Sequence, residues 1–397
     1  MYNRNYYLQA IKSFINKPLI KVITGIRRCG KSYFLLSLIE ILKKEKNNII
    51  YIDKELVQFD FISNYSGLYQ YVKGQLSLNK KNYLFIDEIQ EIEDWERAVS
   101  SFLKEDVADI YITGSNAHLL SSELATLIAG RYVEFPIYTL NFKEFLLFHK
   151  KNTTETQFKL FLRYGGFPAL YHLDLEDEIV YQYIATLFNT IQLKDIVKKN
   201  HVRNIRLLEN IIKYLFDNIG NIFSAKKVSD YLKNQKLSIS VDTVQNYIEY
   251  LISTYSFYRV RRYDIKGKRY LEFHEKYYCG DIGLRHAVLG YREADISGVL
   301  ENIVFLALKQ RGYRVAIGRL DDLEIDFIAE KQNEKIYIQV TYLLVSKETA
   351  QKEFQPLLKI ADNYPKYVVS MDTDFGSDYQ GIKREYLMDF LLIDRWG

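Results

Sequence analysis

Apolar residues in the first third of the chain fall into runs of strand length: NIIYID (48–53), YLFIDE (83–88), DIYITGS (109–115) and YVEFPIY (132–138), with Leu19 to Ile23 as a fifth. Between them lie stretches whose apolar positions recur three and four apart. These are Tyr33 to Lys44 (Phe34, Leu35, Leu38, Ile39, Leu42), Trp95 to Lys104, and Leu119 to Ile128. Runs too apolar to alternate imply strands buried on both faces, and the amphipathic stretches supply the crossovers that parallel strands need. The pattern predicts a parallel α/β domain to about residue 140, followed by Asn141 capping a short helix, Phe142 to His149.

The pattern then changes. KNTTETQ (151–157) reads as a polar linker, and residues 158–200 read as helical, broken at Tyr164-Gly165-Gly166-Phe167-Pro168, a helical lid. Helical periodicity runs through Ile205–Leu215, Ala225–Leu232 and Val241–Ile252. Two alternating segments follow, Phe257–Tyr263 and Arg269–Tyr278, around IKGK, so the order predicts a winged helix-turn-helix. The last hundred residues mix a helix (Val299–Gln310), three strands (Tyr313–Ile317, Glu324–Ala329, Lys335–Thr341), a helix (Lys347–Ile360) and a strand (Lys366–Ser370), a second α/β domain. The expected domains are therefore 1–150, 151–202, 203–280 and 281–397.

Composition changes this picture little. The 397 residues are 48% hydrophobic and 26% charged, as in ordinary globular proteins, and no run approaches eighteen uninterrupted apolar residues. The N-terminus, MYNRNYYLQA, lacks a basic-then-apolar signal, so a cytoplasmic protein without a membrane partner is expected. The two cysteines, Cys29 and Cys279, support neither a disulfide framework nor a zinc site. Charge is more informative: Lys194 to Arg269 holds 16 Lys and Arg against 7 Asp and Glu, so the surplus exceeds the net +4 of the whole chain.

The strongest chemical signal is GIRRCGKS, between the first apolar run and the first helix. A glycine-rich turn from a strand into a helix presents successive N–H groups and a positive helix terminus to an anion. Gly25, Ile26, Arg27, Arg28, Cys29, Gly30, Lys31, Ser32 and Tyr33 are thus the candidate ATP contacts. Lys31 is expected on the β/γ-phosphates and Ser32 on Mg²⁺. YLFIDEIQ delivers Asp87 and Glu88 from the end of a buried strand, Asp87 for the Mg²⁺ shell and Glu88 to polarise the attacking water. DIYITGSN ends in Ser115 and Asn116, either of which could orient that water or sense the γ-phosphate. Arg131 is a candidate to stabilise γ-phosphate charge in its own subunit or across a subunit boundary, which makes a homo-oligomer an open question. Asp53 and Glu55, after YID, read as strand-end acids.

With these motifs the chain resembles the AAA-type P-loop ATPases. Specifically, it resembles the bacterial and archaeal group that joins such a module to a winged helix and a C-terminal restriction-endonuclease-like domain of unknown function. The resemblance rests on GIRRCGKS, FIDEIQ, ITGSNA, AGR (129–131), YGGFPAL (164–170), YYCGDIGLR (277–285) and EIDFIAE (324–330), and covers nearly the whole chain. It implies ATP binding and hydrolysis to ADP and phosphate. Nucleases of the PD-(D/E)xK class use a helix Glu, a strand acid and a Glu-x-Lys. Here Glu301 and Asp326 match, but Gln339-Val340-Thr341 stands for Glu-x-Lys, so a degenerate fold without nuclease activity is expected. DNA is a candidate partner through the basic hairpin (Arg259, Arg261, Arg262, Lys266, Lys268, Arg269), and a protein partner is the alternative.

Overall fold

The computed structural model describes residues 4–117, 128, 130–234, 239–271, 274–344, 346–373, 376 and 378–393. The chain divides into two compact units, one of residues 1–138 with 253–255, the other of 139–252 with 256–397. The four expected domains are thus grouped differently, with everything after residue 138 except a tripeptide in one unit. The expected helix Leu119–Ile128 lies almost wholly outside the described residues.

The first unit is built on five parallel strands: β1 (Ile20–Thr24), β2 (Asn48–Asp53), β3 (Asn82–Asp87), β4 (Asp109–Gly114) and β5 (Tyr132–Pro136). They lie in the order β2-β3-β4-β1-β5. Every residue of β1 and β4 is buried, as strands covered on both faces require. Helix α1 (Asn5–Lys12) precedes β1, and the helices that cross between strands are α2 (Lys31–Lys43), α3 (Tyr65–Gln75) and α4 (Trp95–Lys104). On one side of the sheet, Val22, Ile52, Leu84, Ile86 and Ile112 share a core with Leu68, Val72, Val99 and Phe102 from α3 and α4. Registers Thr24↔Gly114 and Asp53↔Asp87 bring the carboxyl ends of β1, β4, β3 and β2 to one edge. At the opposite edge the buried Lys21 ammonium pairs with Asp109, whose carboxylate also accepts from the Asn16 N–H and Tyr111 hydroxyl, each at 2.8 Å.

The tripeptide Ser253–Tyr255 returns to this unit from far along the chain. Tyr255 has left-handed backbone (φ 57°) and is buried. Its hydroxyl lies 3.5 Å from Glu134, whose carboxylate also accepts from Thr24 at 2.6 Å, one residue before the glycine-rich loop.

In the second unit, helices α5 (Phe142–Phe148), α6 (Glu155–Tyr164) and α7 (Asp177–Thr190) come first. Asn141 caps α5 in a capping box with Glu144. Next come α8 (Ile205–Asp217), α9 (Ala225–Asn234) and α10 (Val241–Ser253), with apolar faces inward. The hairpin after α10 is split. Its base is β6 (Phe257–Val260) against β9 (Lys276–Cys279), and its tip is β7 (Arg262–Asp264) against β8 (Arg269–Tyr270). The tip does not stand free: β7 pairs parallel with β10 (Arg314–Leu320). It thereby becomes the edge of an eight-stranded sheet ordered β14-β15-β13-β12-β11-β10-β7-β8, with β11 at Leu323–Lys331, β12 at Glu334–Val340, β13 at Lys366–Ser370, β14 at Asp378–Tyr379 and β15 at Ile382–Tyr386. Helices α11 (Ile282–Leu289), α12 (Ile296–Gln310), α13 (Lys347–Leu358) and α14 (Leu387–Leu392) complete the unit. Among the described residues no helix is long and apolar enough to cross a membrane.

Candidate active site

The loop Gly25–Gly30 leaves β1 and opens α2. Gly25 has φ 145°, and a Cβ there would meet the Ile137 carbonyl at 2.1 Å, so only glycine fits against the end of β5. Gly30, at φ 105°, turns the chain into α2. Ile26 and Cys29 are buried, and the Cys29 thiol donates to the Ile137 carbonyl at 3.2 Å. Burial pushes that thiol up, away from the reactive thiolate, so Cys29 packs as filler. Arg28 and Tyr33 face solvent, while Arg27 is largely covered and pairs with Glu55 at 2.9 Å.

Lys31 folds back over the loop, donating to the Gly25 and Ile26 carbonyls at 3.2 and 3.4 Å, and lies 3.5 Å from Glu88. Burial works against its charge, but Glu88 overrides this and leaves Lys31 above its ordinary value. Ser32 hydrogen-bonds Asp87, so the two candidate Mg²⁺ ligands adjoin. A hydroxyl and a carboxylate are the hard oxygen donors that Mg²⁺ takes, and the pair fits that ion. Burial pushes Asp87 up despite hydrogen bonds from Ser32 and Thr113.

Glu88 sits in left-handed backbone (φ 53°), directly after β3. Its N–H donates to the Thr113 hydroxyl at 2.9 Å, and the same hydroxyl donates to Asp87. Its carboxylate accepts from Ser115 at 3.1 Å and from the Gln90 amide. Burial opposes ionisation, yet Lys31, Gln90, Arg27 and Ser115 outweigh it and hold Glu88 below its usual range. Of the two polar residues at the end of β4, the Ser115 hydroxyl therefore reaches Glu88; Asn116 is buried beside it. This geometry follows from β4 lying between β1 and β3, which carries Ser115 to the space between loop and acids.

Arg131 is not brought into this group. It precedes β5, and its carbonyl accepts from the N–H of Ile20, the first residue of β1, so it lies at the sheet edge opposite the loop. Arg131 thus stands a strand's length from the phosphate loop of its own chain. Asp53 reaches the acids through Tyr51, whose hydroxyl is 3.4 Å from Asp53 and 3.5 Å from Asp87.

Three contributors went unrecognised in the sequence. Thr113 and Gln90 follow the motif logic only once β3 and β4 are in register, although a Thr in a fully apolar strand was a signal. Arg4 had none: its buried guanidinium donates to the Cys29 carbonyl at 3.2 Å and to the Tyr138 carbonyl at 2.7 Å, anchoring the phosphate loop from below.

The second unit holds two further clusters. YGGFPAL and YYCGDIGLR meet at Asp281, whose buried carboxylate accepts from the Gly166 and Gly283 N–H groups at 2.9 and 2.8 Å. Burial pushes Asp281 up to about 6. A Cβ on Gly165 would fall 2.0 Å from that carboxylate. In the other cluster, Glu301 on α12 and Asp326 on β11 adjoin a lysine that Gln339-Val340-Thr341 lacks. Lys276 of β9 stands 2.9 Å from Glu301, 2.8 Å from Glu324 and 3.9 Å from Asp326. Gln339 accepts the Asp326 N–H at 3.3 Å, and Thr341 lies just past β12. Among the described residues, no three His, Cys, Asp or Glu side chains are arranged to hold a metal ion.

A parallel sheet with a glycine-rich loop after β1, paired acids after β3 and an intervening β4 defines a P-loop ATPase domain, and residues 17–146 match the AAA domain family. Residues 155–295 match a domain of unknown function, DUF8612. The chain belongs to a family of full-length relatives that includes an uncharacterized protein of Haemophilus influenzae, 37% identical over 405 residues and covering 99% of both chains. An uncharacterized protein of Methanocaldococcus jannaschii is 31% identical over 412 residues, spanning 98% of this chain and 89% of its own. Among solved structures the chain is similar to the Walker-type ATPase PABY2304 of Pyrococcus abyssi, at 15% identity and a TM-score of 0.49, over 72% of this chain and 95% of that one. The strand order and the loop are the firmer guide to the fold.

Proposed function

We propose that this AAA-type domain hydrolyses MgATP to ADP and phosphate, and that turnover rearranges the C-terminal unit on its target. The observation that carries the reading is Glu88: a buried carboxylate held by Lys31, Ser115 and Gln90 just past the carboxyl end of β3. In this reading the loop N–H groups and Lys31 bind the phosphates, and Ser32 and Asp87 hold Mg²⁺, which screens the phosphate charge. Glu88 accepts a proton from the attacking water as its oxygen bonds to the γ-phosphorus and the bond from that phosphorus to the bridging oxygen breaks, ADP leaving with the electron pair, and Ser115 fixes the Glu88 carboxylate. Glu88→Gln is expected to keep ATP binding and abolish phosphate release, whereas Lys31→Ala loses binding itself. Unchanged turnover in Glu88→Gln would sink the assignment.

For the target, the basic surplus of residues 194–269 supports DNA, read through a winged helix formed by α8–α10 and the hairpin. A second reading, a slow nucleotide-gated switch acting on a protein, is favoured by the hairpin's own ion pairs. Arg259 pairs with Glu249 and Glu275, and Lys266 with Asp321, so part of the charge is already answered. Turnover stimulated by DNA and weakened by salt supports the first, and DNA-independent turnover the second. We read the Glu301–Asp326 cluster as a degenerate PD-(D/E)xK-like centre closed by the Lys276 ammonium. Mg²⁺- or Mn²⁺-dependent DNA cleavage that Asp326→Ala removes would overturn that.

A further inference from the structure

Arg131 lies at the far edge of its own chain's sheet, and the phosphate loop itself carries another arginine. Arg27 leaves the loop after β1 and pairs with Glu55, which lies just beyond β2. In this sheet β1 and β2 are three strand spacings apart, about 14 Å, with β4 and β3 between them. The ion pair, at 2.9 Å, joins the loop after β1 to the loop after β2 at the carboxyl edge of the sheet, the edge at which Ser115 and Glu88 also emerge from the intervening β4 and β3. The Arg27 side chain is mostly covered (11% exposed), while its partner is well exposed (42%). An ion pair with one exposed partner is weak and easily exchanged for a phosphate, to which a guanidinium binds in a fork.

We propose that Arg27 is the arginine that stabilises charge on the transferring phosphoryl group, acting within its own chain, and that Glu55 is its resting counter-ion. This rests on the ATPase reading above and adds to it the source of the cation. Arg27→Ala should lower kcat by about 10³-fold while changing the ATP dissociation constant by no more than about threefold, because the contact strengthens only as charge develops. Capture of ADP with aluminium fluoride, a mimic of the transferring phosphoryl group, should be lost in Arg27→Ala while ADP alone still binds. Glu55→Gln, which removes this counter-charge, should raise kcat/KM by roughly two- to fivefold.

The decisive arm mixes Arg27→Ala with Lys31→Ala. If Arg27 acts in its own chain, the mixture stays inactive; recovered turnover would mean that one subunit lends Arg27 to another and would overturn the proposal. Wild-type-like kcat in Arg27→Ala, or a fall in kcat/KM in Glu55→Gln, would also overturn it. These failures are distinct from failure of the ATPase reading, which is judged by wild-type turnover and by Glu88→Gln alone.

Discussion

Replacing Thr113 by Val tests whether the two acids are held as a unit. Val keeps the shape of Thr113 but removes a hydroxyl that accepts the Glu88 N–H at 2.9 Å and donates to Asp87. Losing the first bond leaves a buried N–H unmet, a cost of about 1–3 kcal/mol, and losing the second removes a bond to a carboxylate, about 1.5–3 kcal/mol. Glu88 also occupies left-handed backbone, disfavoured by roughly 1–2 kcal/mol for a residue with a Cβ. With its N–H released, relaxation to ordinary backbone recovers part of that cost and carries the carboxylate away from Ser115. If about 2.7 kcal/mol of the total appears in the transition state, kcat falls about 100-fold. Lys31 and the loop are untouched, so ATP affinity should stay near wild type. Phosphate release under saturating ATP gives kcat, and titration with a fluorescent ATP analogue gives affinity. Thr113→Ser restores the hydroxyl and should restore turnover. A Thr113→Val enzyme within threefold of wild type, or a Ser variant as impaired as Val, would refute the reasoning.

Two further predictions concern the second unit. Gly165→Ala should destabilise it by about 4 kcal/mol or more, combining left-handed strain with displacement of the Asp281 carboxylate from its N–H partners. Gly290→Ala, also at positive φ but with open space around it, should cost only the backbone strain, roughly 1–3 kcal/mol, in the same denaturant titration. Equal costs would dismiss the Asp281 contact. Asp281 also gives a pH signature. Its carboxyl, at about 6 in the folded chain and about 4 when unfolded, holds a proton in the native state that the unfolded state has released. Stability relative to Asp281→Asn should therefore fall as pH rises from about 4 to 6, by at most roughly 3 kcal/mol, and be flat above. Parallel melting curves of the two proteins across that range would expose a flat difference if Asp281 is not so perturbed.

The nucleotide site was legible because its chemistry is contiguous. Gly25 to Ser32 and Asp87-Glu88 each lie within eight residues, and buried strand runs announced where they emerge. Ser115 could be placed beside Glu88 from the strand pattern, but not chosen over Asn116, because that depends on which side chain the last residue of β4 turns inward. Thr113, Gln90 and Arg4 depend on register across strands or on backbone carbonyls distant in sequence, which periodicity does not carry. The Phe257–Tyr278 hairpin was legible as two strands. Its tip was not, because alternation says which face is apolar but not which neighbour an edge strand will pair with. Lys276 escaped for a similar reason: its partners come from α12 and β11, and only folding assembles them.

The brief return of Ser253–Tyr255 to the nucleotide unit bears on how the gene can be cut. A fragment ending at residue 138 would contain every phosphate-loop and acid motif, yet it would lack the tyrosine that caps Glu134 beside Thr24. The ATPase unit is thus discontinuous along the polypeptide, closed by a residue synthesised more than a hundred positions later. During translation the loop would emerge long before its last neighbour, and the unit could be completed only after α8–α10 had left the ribosome. Truncations made to isolate the AAA-type unit should carry that tripeptide or expect an incomplete one.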